Sequence, residues 1–552
     1  MIAQRPASPP TPRSLSKALL LVATLAACGN GVPDTATMPD ARHAQQNPPM
    51  LAPAGDAPPL LGANPTPIFD YSRTPVYVDL MHQARRFGTP QAPWDEKAPL
   101  NELGWPVGDF GVLLMTGQRG LSGTGGTYHV RFKGQATVKP VASPAVIEGQ
   151  HYDPVQNLST LRVLLPDTAD QLALSFTGTG SGIQGLQVIR PGYDPEHPPL
   201  FTRAFIDHIA RFRVLRFMDW LRTNNNPVRT WAMRSTPEKT HFASPAGVPW
   251  EHIVALANQT GKDIWINIPV EADDDYIRQL SHLLRTTLNA ESRIYIEYSN
   301  ELWNAQFRQF QRNRELAIDE MRDQPGSPLA FDGSRDPNKW AFRRIAKRLK
   351  EISDLFRAEF GEAAMMQRIR PVFASQVVQP YVTELGLAFI AAVYGPPNQY
   401  FYALAGAPYL NLGDRQRHND LSVDEVLQAM ETSIRELSRI NHLQQNVDLA
   451  RRHGLRFMAY EGGIDTFGPG SLPAKKAASL DPRIQRICER YLEQWYAVGG
   501  SLFMWFTAGA GNWDTQYGTW ELTTDLAITD TPKIRCLDSI LSSSTVRQKP
   551  QP

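Results

Sequence analysis

Cysteine is scarce in this 552-residue sequence, which has only Cys28, Cys488 and Cys536. So few cysteines exclude a disulfide-dense scaffold, and none of them has the spacing of a zinc site or the neighbours of a nucleophile. Cys488 and Cys536 fall in the last two predicted helices. They either form a disulfide in an oxidising compartment or stay as two separate buried thiols, and the sequence favours neither.

An excess of charge of one sign is also missing. The chain has 56 Lys and Arg against 55 Asp and Glu, a formal net charge of +1. Nothing therefore indicates binding to nucleic acid or to an anionic membrane surface. A nearly neutral chain with 12 Trp and 17 Tyr suits a neutral partner, and a glycan is the obvious class.

Several familiar catalytic patterns are absent. The 12 histidines form no HxxxH pair and no serine lies in GxSxG, so metalloprotease and esterase chemistry have no support. The acidic run EADDD, residues 271–275, is compatible with calcium, but Asp273 as the cap of a following helix explains it better. GSGIQG, residues 180–185, matches a dinucleotide fingerprint formally, yet it links two strands without a following helix and is predicted to be a hairpin loop. We expect no metal and no organic cofactor.

The first residues indicate export. Basic residues precede an apolar run, Ala18–Ala27, that is too short to cross a bilayer and has the flanks of a signal peptide. The run ends in LAAC, which resembles the lipobox of bacterial lipoproteins. This resemblance implies that residues 1–27 are a lipoprotein signal peptide and that Cys28 is the lipidated residue; the alternative is an ordinary secretory signal with a chance cysteine.

The predicted cellular location of the protein follows from this predicted signal peptide. Residues 28–67 are rich in Pro, Ala, Asn and Gly without periodicity, which predicts a disordered tether. No second apolar run approaches the roughly 18 residues of a transmembrane helix. We expect a protein of the bacterial cell envelope that contacts the membrane only through its lipid anchor and faces the periplasm or the cell surface.

The hydrophobic pattern of the remaining chain differs between two regions. Short alternating apolar runs between residues 111 and 190 predict an inserted β-sandwich-like module. Residues 68–110 and 191–545 alternate strands with helical periodicity. The predicted strands are residues 75–80, 213–218, 263–269, 293–299, 369–375, 400–406, 455–461 and 501–506. Eight such units predict a (β/α)8 TIM barrel with the β-module inserted after its first strand, and the count disfavours the alternative of a doubly wound open sheet.

Two of these strands end in a glutamate. The fourth ends in YSNE, with Asn300 and Glu301, and the seventh ends in MAYEGG, where Gly462 and Gly463 follow Glu461. Loops at the carboxyl ends of barrel strands converge on one pocket, so these glutamates are expected to face each other. Glycoside hydrolysis requires such a pair, one carboxyl protonated and one ionised. Carboxyl groups about 5 Å apart give a covalent intermediate and retention of configuration.

The Asn-Glu and Glu positions resemble those of the retaining glycoside hydrolases of clan A, the 4/7 superfamily of (β/α)8 barrels. The resemblance implies that Glu301 is the acid/base and Glu461 the nucleophile. It also implies that Asn300 binds the hydroxyl beside the reacting carbon.

The same resemblance extends to other substrate-binding candidates. Arg216 would hold Glu461 ionised, although a purely structural salt bridge is an equal alternative. Tyr409 would donate to the same carboxylate. Trp505 would form the aromatic floor beneath the sugar, with core packing as its alternative, and Trp220, Trp303 and Trp513 would extend that surface.

The predicted function is a monomeric retaining glycoside hydrolase that cleaves a β-linked poly- or oligosaccharide by double displacement. The alternative is a carbohydrate-binding surface lipoprotein that keeps the barrel without turnover. A third interpretation is an adhesion protein that acts through residues 111–190.

Overall fold

The computed structural model of the protein describes residues 60–240 and 242–547, with side chains described as far as residue 542. The predicted signal peptide, Cys28 and residues 28–59 of the predicted tether lie outside the described residues. Among the helices of the described ranges, none is both long enough and apolar enough to cross a membrane.

The first barrel strand is β1, Leu61–Pro65, which lies inside the segment predicted to be a tether. The prediction of residues 75–80 as that strand is wrong, and so is the boundary at residue 67. Residues 75–80 are apolar because they are buried, but only single bridges, such as Tyr77 to Phe201, join them to other segments. Gly and Pro are uncommon in strands, so the composition of β1 does not indicate a strand. At Gly62 a Cβ would lie 2.3 Å from Met504 Sδ, so the tight barrel requires glycine there.

A module of two antiparallel sheets follows β1. Its strands are β2 Phe110–Met115, β3 Gly126–Lys133, β4 Thr137–Pro140, β5 Val146–Asp153, β6 Leu158–Leu165, β7 Leu172–Thr177 and β8 Gln184–Ile189. One sheet has the order β2-β7-β4 and the other β5-β6-β3-β8. Their facing sides bury a separate core, in which Phe110 and Phe176 stack with ring centroids 4.6 Å apart. The loop at residues 180–185 joins β7 to β8 in the other sheet, so it is not a hairpin, and no helix follows it closely.

Seven further strands complete the barrel. They are β9 Val214–Arg216, β10 Asp263–Ile268, β11 Ile294–Tyr298, β12 Ile369–Ala374, β13 Ala403–Gly406, β14 Arg456–Ala459 and β15 Phe503–Ala508. All pairings are parallel, in the closed order β1-β15-β14-β13-β12-β11-β10-β9. The chain therefore forms a (β/α)8 TIM barrel with an all-β insertion after its first strand.

Helices surround the strands. They are α1 Arg203–Ile209, α2 Trp250–Thr260, α3 Asp274–Thr287, α4 Arg308–Asp323, α5 Pro337–Phe360, α6 Pro380–Val393, α7 Val423–Arg435, α8 Leu437–Arg452, α9 Leu472–Leu480, α10 Arg483–Ala497 and α11 Pro532–Arg547. Alternate strand residues, such as Trp265, Tyr295 and Met504, fill the barrel interior. Their sequence neighbours point outward and pack against the helices.

The acidic run at residues 271–275 is explained by helix capping and ion pairs. Asp273 caps α3 by accepting a hydrogen bond from the backbone N–H of Tyr276 at 2.8 Å, as predicted. Glu271 pairs with Arg312 at 2.5 Å. Asp274 lies in the first turn of α3, where the helix dipole favours an acid.

Cys488 of α10 and Cys536 of α11 form a disulfide, which decides between the two alternatives for these residues. The bridge closes a segment of 48 residues between the last two helices of the barrel. We expect the Cys488→Ser/Cys536→Ser variant to lose about 2–4 kcal/mol of unfolding free energy, the typical contribution of a native disulfide. Urea denaturation of both proteins, with and without dithiothreitol, measures this loss. The reductant should destabilise only the parent, and equal sensitivity of both proteins would contradict the prediction.

Candidate active site

Both candidate carboxyl groups lie at the carboxyl end of the barrel. The fourth barrel strand, β11, ends at Tyr298 shortly before Glu301, and the seventh, β14, ends at Ala459 shortly before Glu461. Glu301 and Glu461 are each 4% exposed. The two glutamates thus come from opposite parts of the strand order and are buried where the loops of that face converge.

The backbone turns abruptly at the end of β11. Ser299 and Glu301 have positive φ angles of 58° and 45°, a conformation that costs a residue with a side chain on the order of 1–3 kcal/mol. The amide of Asn267 on β10 secures the turn by donating to the Ser299 carbonyl at 2.8 Å. Asn300, between the two strained residues, is thereby brought within hydrogen-bond distance of Arg216.

Arg216, the last residue of β9, joins four barrel strands or the loops that follow them. Its Nε and Nη2 donate to the two oxygens of Glu297 at 2.9 and 3.0 Å. Nη1 donates to Glu461 Oε1 at 2.7 Å and to Asn64 Oδ1 at 3.0 Å. Nη2 also donates to Asn300 Oδ1 at 2.8 Å. The guanidinium is fully buried, and its contacts fit both predicted roles, the salt bridge and the support of Glu461.

Both oxygens of Glu461 accept a hydrogen bond. Oε1 receives the guanidinium of Arg216, and Oε2 receives the hydroxyl of Tyr409 at 2.9 Å. Hydrogen bonds between a guanidinium and a carboxylate are charge-assisted and stronger than those between neutral groups, so these contacts hold the Glu461 side chain in place. Burial and the charge of Glu461 raise the pKa of Tyr409 well above its ordinary value, so this hydroxyl remains a donor. At Gly462 a Cβ would lie 2.4 Å from the ring of Phe503, which explains the glycine after Glu461.

Glu301 has a different environment. Its Oε2 accepts from the amide of Asn304 at 3.0 Å and its Oε1 from the hydroxyl of Tyr460 at 3.3 Å. Among the described residues, no cation contacts it directly. Burial, and then repulsion from Glu461, raise the pKa of Glu301 to about 8. The raised pKa favours the protonated form of this carboxyl group at neutral pH.

Several residues of this site are not indicated by any sequence pattern. Asn64 lies in the segment whose composition predicts a tether. Tyr460 and Asn304 lie close to the two glutamates in the sequence but match no motif of their own. Glu297 was detectable, because a carboxylate in the middle of the apolar strand IYIEY requires a buried partner. It receives the indole N–H of Trp265 at 2.8 Å in addition to Arg216.

The predicted tryptophan surface is largely wrong. Trp505 points outward into the core between strands and helices and has no exposed surface, so the packing alternative is correct. Trp220 is 1% exposed among core aromatic rings, with its N–H bonded to the Thr66 carbonyl. Trp513 is equally buried and donates to Glu521. Trp303 alone of the four is half-buried, and its indole nitrogen has no hydrogen-bond partner in the described part of the chain.

Phe506 takes the place predicted for Trp505. Successive residues of a strand face opposite sides, so a shift of one position replaces an outward ring by an inward one. Phe506 packs with Trp520, ring centroids 5.2 Å apart, and with Tyr409 at 6.1 Å. Its peptide bond to Thr507 is cis. Tyr409, which packs against Phe506, is the residue that donates to the Glu461 carboxylate.

No family model and no curated protein sequence matches the chain. Among solved structures, it is similar to the endo-1,4-β-D-mannanase of Thermotoga petrophila RKU-1, with 13% identity over 62% of this chain and 96% of that one and a TM-score of 0.34. It is similar to the CBM22-1–GH10 modules of a Clostridium thermocellum endo-1,4-β-D-xylanase, with 11% identity over 86% and 98% and a TM-score of 0.35. A Bacteroidetes-affiliated GH5 cellulase gives 13% identity over 62% and 88% and a TM-score of 0.31. At such values the likeness carries nothing about activity, and the barrel is established by its own strand pairing.

Proposed function

We propose that the protein is a glycoside hydrolase that cleaves a β-linked poly- or oligosaccharide with retention of configuration. Glu461 is the nucleophile and Glu301 is the acid/base. The observation that carries this proposal is the unequal environment of two buried carboxyl groups. Glu461 accepts from Arg216 and Tyr409, whereas Glu301 has only neutral donors.

The proposed reaction has two steps. In the first, a carboxylate oxygen of Glu461 attacks the anomeric carbon and the glycosidic C–O bond breaks, while the proton of Glu301 passes to the leaving oxygen. In the second, Glu301 takes a proton from water, and the water oxygen displaces Glu461 from the anomeric carbon. Asn300, fixed by Arg216, supplies its amide to the hydroxyl beside that carbon. Such a contact accelerates the reaction only if it strengthens in the transition state.

Hydrolysis over a panel of β-glucans, β-mannans and β-xylans tests the proposal. Release of reducing ends, with proton NMR of the first-formed product showing the β-anomer, would support it. A first-formed α-anomer would contradict retention. Binding of a glycan by the wild type without any release of reducing ends would favour the non-catalytic carbohydrate-binding protein instead.

The pH profile should report the proton on Glu301. Its pKa is raised to about 8, and the acid acts only when protonated, so kcat/KM is expected to fall as pH rises through about 8. Initial rates between pH 5 and 10 measure this limb. A dinitrophenyl glycoside, whose leaving group requires no proton, serves as the control and should lose the limb. The same alkaline fall with both substrates would assign it to another group.

We place this activity outside the cytoplasm, in a bacterial envelope protein anchored through Cys28. The disulfide between Cys488 and Cys536 supports that location, because disulfides persist mainly in oxidising compartments.

A further inference from the structure

Two neighbouring loops build one side of the barrel mouth. Because β1 pairs with β9, the loop after β1 lies beside the loop after β9. On the first loop, the rings of Phe69 and Tyr71 stack with centroids 4.7 Å apart and an interplanar angle of 9°. On the second, the guanidinium of Arg222 lies 4.7 Å from the centre of the Phe69 ring. Phe69 is buried by these contacts, whereas Tyr71 is 42% exposed. A supported aromatic ring is thus offered to solvent.

Asp219, also on the second loop, has a carboxyl group that the fold does not satisfy. Its Oδ2 is buried and has no hydrogen-bond partner among the described residues. A buried acceptor without a partner is costly, and natural proteins rarely leave one unless a ligand or water completes it. Since no hydrogen bond within the described ranges involves this oxygen, the packing of the fold gives no reason for an acceptor at this position.

Asp219 lies near the Glu461 carboxylate. The preceding residue, Met218, packs in one buried cluster with Tyr409, and Tyr409 donates to Glu461 at 2.9 Å. Burial and then repulsion from Glu461 raise the pKa of Asp219 to about 7, while Arg216 and Arg222 oppose the rise. Asp219 in turn contributes to the raised pKa of Tyr71, after burial and Asp70. Asp219 is therefore within electrostatic range of both the Glu461 carboxylate and the exposed ring of Tyr71.

We propose that Asp219 and Tyr71 form a subsite for the part of the glycan that is transferred to Glu461. Asp219 Oδ2 accepts a hydrogen bond from a hydroxyl of a neutral sugar, and the ring of Tyr71 stacks on the neighbouring sugar unit. In its ionised form the carboxylate of Asp219 repels a uronic acid, so this subsite selects neutral glycans. The inference rests on the proposed function for the position of the bond that is cleaved, but contact with sugar does not require turnover.

Binding in a Glu301→Gln background tests the subsite without consuming the ligand. The probes are cellohexaose, mannohexaose and xylohexaose, with β-linked oligomannuronate as the anionic comparison, each measured by calorimetry. Asp219→Ala is expected to weaken binding of the preferred neutral hexaose about ten- to a hundredfold, the range for a hydrogen bond to a charged group. Tyr71→Ala should weaken it about three- to tenfold, and Tyr71→Phe, which keeps the ring, should not.

Matched measurements separate recognition from folding. The melting temperature of the Asp219→Ala variant should not fall, because Oδ2 has no hydrogen-bond partner in the described part of the chain and because the change removes repulsion from Glu461. Asp219→Asn keeps an acceptor oxygen without the charge and should recover part of the affinity. Glu271→Gln, a carboxylate on the same face that pairs with Arg312, should bind as the parent does.

The outcomes are distinct for the two proposals. Hydrolysis by the wild type together with unchanged binding by Asp219→Ala overturns the subsite alone. Weakened binding by Asp219→Ala in a protein that hydrolyses nothing overturns the hydrolase alone and upholds the subsite. Binding of oligomannuronate as tight as that of the neutral hexaoses, or failure of every hexaose to bind, overturns the subsite.

Discussion

The Glu461→Ala variant is expected to lose about 10⁴-fold or more in kcat on the glycan that the wild type cleaves, the order seen when a covalent nucleophile is removed. The carboxylate lost is the one that accepts from both Arg216 and Tyr409. Initial rates with purified protein measure the loss. Glu271→Gln, a carboxylate on the same barrel face, should retain full activity.

Azide distinguishes the roles of the two glutamates. In Glu461→Ala, azide should replace the nucleophile and give an α-glycosyl azide from a β-glycoside with a good leaving group. In Glu301→Ala, azide should attack the covalent intermediate and give the β-glycosyl azide. NMR of the products identifies each anomer. The opposite pairing of variant and anomer would reverse the assignment of nucleophile and acid/base, and full activity in both variants would remove the two-carboxylate mechanism.

The second large effect is expected at Arg216. Arg216→Met leaves the buried carboxylates of Glu297 and Glu461 without their shared guanidinium, which should lower the unfolding free energy by about 3–5 kcal/mol. Activity should be lost as well, because Glu461 loses a charged donor. Urea denaturation and initial rates measure the two effects separately.

A double variant separates the structural role of Arg216 from its catalytic role. Arg216→Met/Glu297→Gln removes the arginine together with the carboxylate that it binds through two hydrogen bonds. Part of the lost stability should return, because fewer buried charges are left unpaired. Activity should not return. Recovery of activity in the double variant would show that the arginine serves only the buried salt bridge.

Sequence patterns are sufficient to predict most of the barrel strands. Six barrel strands, β9 to β14, lie within the predicted runs, and β15 overlaps its predicted run of residues 501–506 but extends to Ala508. Strands buried on both faces of a parallel sheet are apolar throughout, which makes such runs detectable. β1 does not contain the continuous run of apolar residues by which such strands are predicted. Close packing at Gly62 excludes any side chain, so the strand has the composition of a loop.

The residues of the site also divide into those that sequence patterns indicate and those that they do not. Asn300, Glu301 and Glu461 were recognisable because a polar residue at the end of a barrel strand enters the pocket. The assignment of Trp505 failed because the side of the sheet that a residue faces depends on the strand register, which the composition of the run does not determine. Asn64 and Asp219 gave no local signal, since their importance arises from neighbours distant in sequence.

The sequence by itself determined the barrel, the insertion after its first strand and the position of two glutamates just after the ends of the fourth and seventh strands, because the periodicity of burial and the residues at strand ends are local properties. Only the tertiary structure decided that the pKa of the Glu301 carboxyl group is raised. That depends on burial and on charges brought together by chain closure: Arg216 contacts Glu461, whereas the groups that contact Glu301 are neutral.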